Sequence, residues 1–202
     1  AAMKPCVSAL DALSASHQIK VIAEIKRASP SMGDLSEIPD AADLAAVYQQ
    51  SGAHAISVLT ERTGFKGSLR DLETVSAKVR IPTLRKDFIS SEYQILEARV
   101  AGASFVLLIL SWLREPDFIR LYRFANEIGL SVLVETHTED EIRIATASGS
   151  QMVGIRIGCM ALGWAIGAAL FGTEAVWLWD IKSFIWSGFA GGCIGILLTT
   201  QK

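Results

Sequence analysis

The sequence predicts an α/β fold of the (β/α)8 TIM-barrel type, and three observations predict it. Short apolar runs alternate with amphipathic helical patterns, several helices close on a glycine just before the next run, and ionisable residues stand at the C-terminal ends of alternate runs. The apolar runs lie at Lys20–Ile25, His54–Leu59, Ile81–Leu84, Ser104–Leu110, Ser131–Glu135 and Gln151–Ile155, each too short for a helix and bounded by polar or glycine positions. Strands that are apolar on both faces and joined by helices belong in a parallel sheet covered by helices. That pattern alone suits a closed barrel and an open doubly wound sheet equally, since both are made of right-handed βαβ units. The strand-end residues tip the balance, because in a barrel they converge on one mouth.

Taken in chain order, a short helix over Val7–Ser14 precedes the first strand, which ends on Glu24 and Lys26. A long loop, Arg27–Pro39, follows; its Gly33 and small polar residues suit a mobile cover over a site. Helical patterns then span Ala41–Gln50, Leu69–Val79, Glu92–Val100, Pro116–Ile128 and Glu139–Ala147, with apolar residues about three to four apart. Gly52, Gly102, Gly129 and Gly149 stand where a left-handed residue would end a helix. Ser68 with Asp71, and Thr138 with Glu141, have the spacing of a capping box. The third strand leads into Lys86 and Asp87, and the fifth into Glu135 and His137.

Composition narrows the function classes. With 19 basic and 21 acidic residues the chain has no basic field to attract nucleic acid. Cys6, Cys159 and Cys193 are odd in number, far apart and without metal-ligand spacing, so they read as small apolar residues in a reducing compartment, and no metal site is expected. The first residues lack the pattern of a secretory signal, so a cytoplasmic location is expected. The charge is unevenly spread. Of the 40 charged residues, 36 lie within positions 1–156, while four of the five tryptophans lie beyond them. Two parts are therefore expected, a barrel portion over 1–156 and an apolar Gly/Trp-rich tail over 157–202.

The runs carry specific motifs. They are Ile22-Ala23-Glu24-Ile25-Lys26-Arg27-Ala28-Ser29-Pro30-Ser31; Ala55-Ile56-Ser57-Val58-Leu59-Thr60 with Phe65-Lys66-Gly67-Ser68; Leu84-Arg85-Lys86-Asp87-Phe88-Ile89; Tyr93-Gln94-Ile95 with Glu97-Ala98-Arg99; Leu107-Leu108-Ile109-Leu110; and Leu133-Val134-Glu135-Thr136-His137. In these segments and their order, residues 20 to 155 resemble the indole-3-glycerol phosphate synthase family of tryptophan biosynthesis. The resemblance implies a carboxy-lyase that closes the indole ring of 1-(2-carboxyphenylamino)-1-deoxyribulose 5-phosphate, releasing carbon dioxide and water. It implies a phosphorylated small molecule as substrate, other enzymes of the tryptophan pathway as partners, and no metal or organic cofactor.

The residues suit that chemistry. A ketone oxygen must be protonated as the aromatic carbon attacks, and an ammonium supplies both proton and positive charge. By resemblance this general acid is Lys86, and the carboxylate that helps remove protons as the hydroxyl leaves is Glu135. Lys26 is the second lysine, which meets anionic parts of the substrate. Glu24, two residues away, points to the same side of the strand and completes a catalytic set whose members tune one another. Ser29 and Pro30 on the covering loop, and Phe65 and Phe88 as aromatic wall, are the further substrate-binding candidates. Asp87, Arg85 and His137 read as structural residues held by ion pairs or hydrogen bonds, and Leu108 and Leu133 as core or pocket wall.

The resemblance stops at the sixth strand. Gly154-Ile155 leads into Arg156-Ile157-Gly158-Cys159 instead of the family's asparagine-containing loop, and the acidic seventh strand and the Ser/Gly phosphate cradle of the eighth have no counterpart. The barrel is thus expected to be incomplete, or atypically completed, after strand six. Ile157–Gly172 and Phe184–Leu198 are nearly uncharged runs with small residues at Gly163/Gly167 and Gly188/Gly192, and tryptophans lie between them. They suit a membrane-associated hairpin, although each is short against the roughly 20 residues a spanning helix needs. Buried elements completing the barrel are the other reading of the tail. The alternative function is accordingly a non-catalytic or membrane-associated truncated barrel.

Overall fold

The computed structural model describes residues 6–14 and 20–155 and the backbone of 196–199. Its main sheet has the order β1 (Ile22–Ile25), β4 (Ala55–Leu59), β5 (Thr83–Lys86), β6 (Phe105–Ile109), β7 (Ser131–Thr136), β8 (Met152–Ile155) and β9 (Ile196–Thr199). Neighbours from β1 through β8 are parallel. The strands alternate with helices α2 (Ala41–Gln50), α3 (Leu69–Lys78), α4 (Glu92–Val100), α5 (Glu115–Glu127) and α6 (Glu139–Ala147). Six parallel strands in sequential order, each returning through a helix, form a partial (β/α)8 barrel, as the sequence predicts.

Period-two alternation splits the sheet into two apolar faces. One face packs Ile56, Val58, Val106, Leu108, Val132 and Val134 against the helices through Leu72, Val75, Ile95, Phe118 and Leu121. The other, inner face carries Ile22, Ala55, Leu84, Phe105, Leu107, Leu133 and Met152, and α1 (Ala9–Ser14) lays Ala9 and Leu13 onto it. Each fully buried Leu, Ile or Phe in these layers stabilises the fold by about 1.5–3 kcal/mol. Leu108 is thus outer-face core, and Leu133 is partly buried on the inner face.

Helix starts follow the side chains that can satisfy orphan amides. Ser68 accepts from the Asp71 amide and Thr138 from the Glu141 amide, as the capping-box spacing predicts. The reciprocal acid does otherwise in both: Glu141 accepts from the backbone of His137, and Asp71 accepts from the Ser68 hydroxyl and from Arg27. Asp40 and Ser91 cap α2 and α4 in the same manner without a glutamate three residues on. The four glycines named above all take positive φ, at 77° to 92°.

One expectation is corrected in register. The third strand runs Thr83–Lys86 and not Ile81–Leu84, since Pro82 has no amide for the ladder and contributes only its carbonyl, to Ile56. The first βα loop carries a small antiparallel hairpin of its own, β2 (Ala28–Ser29) paired with β3 (Gly33–Asp34). The Ser29 hydroxyl accepts from the Met32 amide in its turn, and the Leu35 amide returns to the Arg27 carbonyl.

Beyond β8, β9 pairs antiparallel, from Met152↔Thr199 to Ile155↔Ile196. A closed (β/α)8 barrel would place a parallel strand at that edge. An exposed row of β8 amides and carbonyls accepts a strand in either direction, and here residues 196–199 fill it. These residues end the second apolar run, which in this part is extended and not helical. The rest of both runs lies outside the described residues. Among the described residues no helix is long and apolar enough to cross a membrane.

Candidate active site

The same alternation that sets Ile22, Leu84 and Leu133 on the inner face sends Glu24, Lys86 and Glu135, each two residues further on, to that face at the C-terminal ends of β1, β5 and β7. Lys86 Nζ donates to Glu24 Oε2 at 2.8 Å. Lys26 Nζ lies 2.9 Å from Glu24 Oε1, an ion pair without hydrogen-bond alignment. Glu24 therefore stands between two ammonium groups, its side chain only 12% exposed. Ser57, beside Glu24 in the β1–β4 register, is buried with its hydroxyl unpaired among the described residues.

Burial by itself pushes the Glu24 carboxyl up. The Lys86 charge and hydrogen bond, helped by Lys26, outweigh it and hold the group below its ordinary value. A carboxyl depressed in the folded state stabilises at pH values above its unfolded pKa and loses that contribution as pH falls toward the folded value. The stability advantage of the wild type over Glu24→Gln is therefore expected to shrink as pH drops from about 7 to about 3, read from urea midpoints at each pH.

Glu135 lies two strands from Lys86, opposite Ile109 in register, with His137 Nε2 3.4 Å from its carboxylate. The His137 Nδ1 side faces the Ser111 hydroxyl at 3.4 Å and Glu141 at 3.7 Å. The structural reading of His137 thus fits its surroundings, and its position ties the β6–α5 loop to Glu135.

Arg85 and Asp87 flank Lys86 on the opposite face. Arg85 is 5% exposed and donates to Asp87 at 3.0 Å, to the Gln94 carbonyl at 2.6 Å and to Thr60 at 3.1 Å. Thr60 in turn donates to Asp87 at 2.6 Å, and Asp87 accepts from the Phe88 amide at 2.9 Å. The pairing expected of Arg85 and Asp87 is present, and it braces the strand end from which Lys86 and Phe88 project.

The aromatic candidates are brought together. The Phe65 and Phe88 rings lie 6.4 Å apart, and Phe88 lies 5.1 Å from Trp112, a residue the sequence reading did not single out. Its signal was available: a tryptophan three residues past a strand end, outside any helical pattern. A second missed residue is Glu61, whose carboxylate accepts from the amides of Thr63, Gly64 and Phe65 at 2.7, 2.6 and 3.1 Å. Burial pushes this carboxyl up slightly, and the amides bring it below its ordinary value.

The loop that presents Phe65 closes on Gly67. A Cβ there would stand 2.1 Å from the Leu59 carbonyl oxygen, so only glycine fits. Gly67→Ala is expected to destabilise by about 3 kcal/mol, seen as a lower urea midpoint with unchanged slope. Pro30 packs beside this loop near Gly64, and the Phe65 carbonyl accepts from the Ala28 amide. Arg27 makes a two-pronged contact with Asp71 at 2.9 and 3.0 Å, fastening the hairpin that holds Ser29 and Pro30 to α3. Surface grooves run between α4 and α5 and between α5 and α6, on the helical exterior and away from these residues.

Among the described residues no group of acidic, histidine or cysteine side chains is arranged to hold a metal ion. The arrangement offers two ammonium groups, two carboxylates and an aromatic wall on one sheet face, which suits proton transfer to and from an anionic aromatic molecule.

Comparison with known proteins agrees. Indole-3-glycerol phosphate synthase from Leifsonia xyli subsp. xyli is 53% identical over 155 residues, 77% of this chain and 60% of that protein. The enzyme of the same name from a Nocardioides species is 56% identical over 135 residues, covering 67% of this chain and 52% of the relative. Indole-3-glycerol phosphate synthase 1 of Streptomyces coelicolor is 52% identical over 137 residues, covering 68% and 51%. The chain thus spans between half and three-fifths of the length of these curated relatives. The family model described as indole-3-glycerol phosphate synthase matches residues 1–157, and with this much of the chain accounted for, the chain belongs to that family.

Proposed function

We propose that the chain closes the indole ring of 1-(2-carboxyphenylamino)-1-deoxyribulose 5-phosphate, with Lys86, Glu24 and Glu135 as catalytic residues. The observation that carries this reading is the Lys86–Glu24–Lys26 cluster on the same inner face as Glu135. The Lys86 ammonium gives a proton to the ketone oxygen while the ring carbon bearing the carboxylate bonds to the ketone carbon. Cleavage of the bond to the carboxylate releases carbon dioxide and returns the electron pair to the ring. The new hydroxyl then leaves as water with a second proton, given by Lys86 after it regains one from solvent, and Glu135 removes a carbon-bound proton to form the indole double bond. Glu24 keeps Lys86 oriented, Lys26 neutralises substrate charge, and Ser29, Pro30, Phe65 and Phe88 border the bound molecule.

A boundary at residue 156 goes with this reading, and the family match ending at 157 supports it. The barrel portion, 1–156, carries the cluster, and 157–202 is the apolar Gly/Trp-rich tail, of which 196–199 pair with β8. Phosphorylated metabolites do not cross bilayers, so the reading puts the chain in the cytoplasm, with other tryptophan-pathway enzymes supplying and consuming its small molecules. The test is appearance of indole fluorescence when purified chain meets the substrate. Glu135→Gln is expected to lower the rate by a factor of about 10²–10⁴. No product from folded wild-type chain overturns the proposal.

A further inference from the structure

We infer that Trp112 is a specificity-determining residue, its indole forming the third ring of an aromatic row that receives the aminobenzoate ring of the substrate. The inference rests on the proposed function for the identity of that ring. Phe65, Phe88 and Trp112 follow three successive strands, β4, β5 and β6, at the C-terminal edge of the sheet. Their centroids are spaced 6.4 and 5.1 Å and both pairs are tilted by 47°, so they form one continuous apolar strip. The outer part of that strip is unfilled: Phe88 is 39% and Trp112 is 60% exposed. A further ring can join such a row in tilted contact.

The strip also lies where the chemistry needs a ring. Lys86 is on β5 and Glu135 on β7, so a molecule that gives its ketone oxygen to one and a proton to the other must cross β6, whose loop carries Trp112. That loop is held in place. The Trp112 amide donates to the Ile109 carbonyl at 3.1 Å, the Leu113 amide to Leu110 at 3.2 Å, and Ser111 contacts His137 beside Glu135. The indole is therefore presented by a fixed turn coupled to the residue assigned as base.

The test is equilibrium binding, which needs no turnover. The probes are the unreactive reduced substrate, 1-(2-carboxyphenylamino)-1-deoxyribitol 5-phosphate, followed by its own fluorescence, and ribulose 5-phosphate, which lacks the ring, as its competitor. Trp112→Ala is expected to weaken the reduced substrate about tenfold and Trp112→Phe less than about threefold, with ribulose 5-phosphate unchanged in both. Equal affinity of Trp112→Ala and wild type for the reduced substrate overturns the inference, as does an equal loss for both probes, the mark of a merely structural residue. Ring-specific loss in a chain that shows no turnover supports Trp112 while removing the proposed reaction. Wild-type chain that binds neither probe overturns both.

Discussion

Lys86→Ala is expected to lower kcat by about 10³-fold while leaving the fold intact. The side chain is 26% exposed at the end of β5 and, among the described residues, makes one ion pair, to Glu24. Removing it leaves Glu24 still beside Lys26, so no carboxylate is stranded without a partner, and the melting transition is expected to move by only a few degrees. The Glu24 carboxyl loses its strongest charge partner, so its pKa rises toward the ordinary range. Lys86→Arg is not expected to restore the rate, because a guanidinium keeps its proton far too firmly to act as an acid. Steady-state rates from indole fluorescence, with circular dichroism of each variant, check these outcomes.

The largest stability effect is expected at Arg85, one residue earlier. Arg85→Met removes a buried cation and leaves Asp87, with a side chain 12% exposed, held among the described residues by Thr60 and a backbone amide. Breaking a buried pair in this way costs about 3–5 kcal/mol. For a domain of this size that is a fall of roughly 10 °C in Tm. Activity should fall as well, since Asp87 anchors the Phe88 amide and Arg85 fixes the strand end beneath Lys86. Pairing Arg85→Met with Asp87→Leu removes this pair together and is expected to recover part of the lost stability, the Glu97 carboxylate and the Gln94 carbonyl still losing their Arg85 partner. Thermal melts of the single and double variants measure the difference.

Much of this was legible in the sequence because each signal was local. Short apolar runs such as His54–Leu59, bounded by polar or glycine positions, identified strands, and Gly52, Gly102, Gly129 and Gly149 marked the helix ends. The two-residue spacing of Glu24 and Lys26 implied one side of a strand, and their ion pair bears that out. What was not legible depends on distance between segments. Pro82 delayed the third strand, because the residue that starts a ladder is decided by which amides a neighbour can use. The Arg85–Asp87 pairing was expected, but the part Thr60 takes in it and the Glu61 turn need contacts that spacing does not display. Trp112 joined the aromatic wall only once β5 and β6 were placed side by side. The tail was the hardest to read, since uncharged runs fit several environments, and the one piece described, 196–199, is a strand paired against β8.

Ring closure with loss of the carboxyl group can be followed in a single turnover, with chain in excess over substrate labelled in its carboxyl group. Wild-type chain is expected to release labelled carbon dioxide and indole product together in a 1:1 ratio, and Lys86→Ala to release neither on the same timescale. Folded wild-type chain that releases no label, or a Lys86→Ala variant that releases it as fast as wild type, would contradict the proposed reaction.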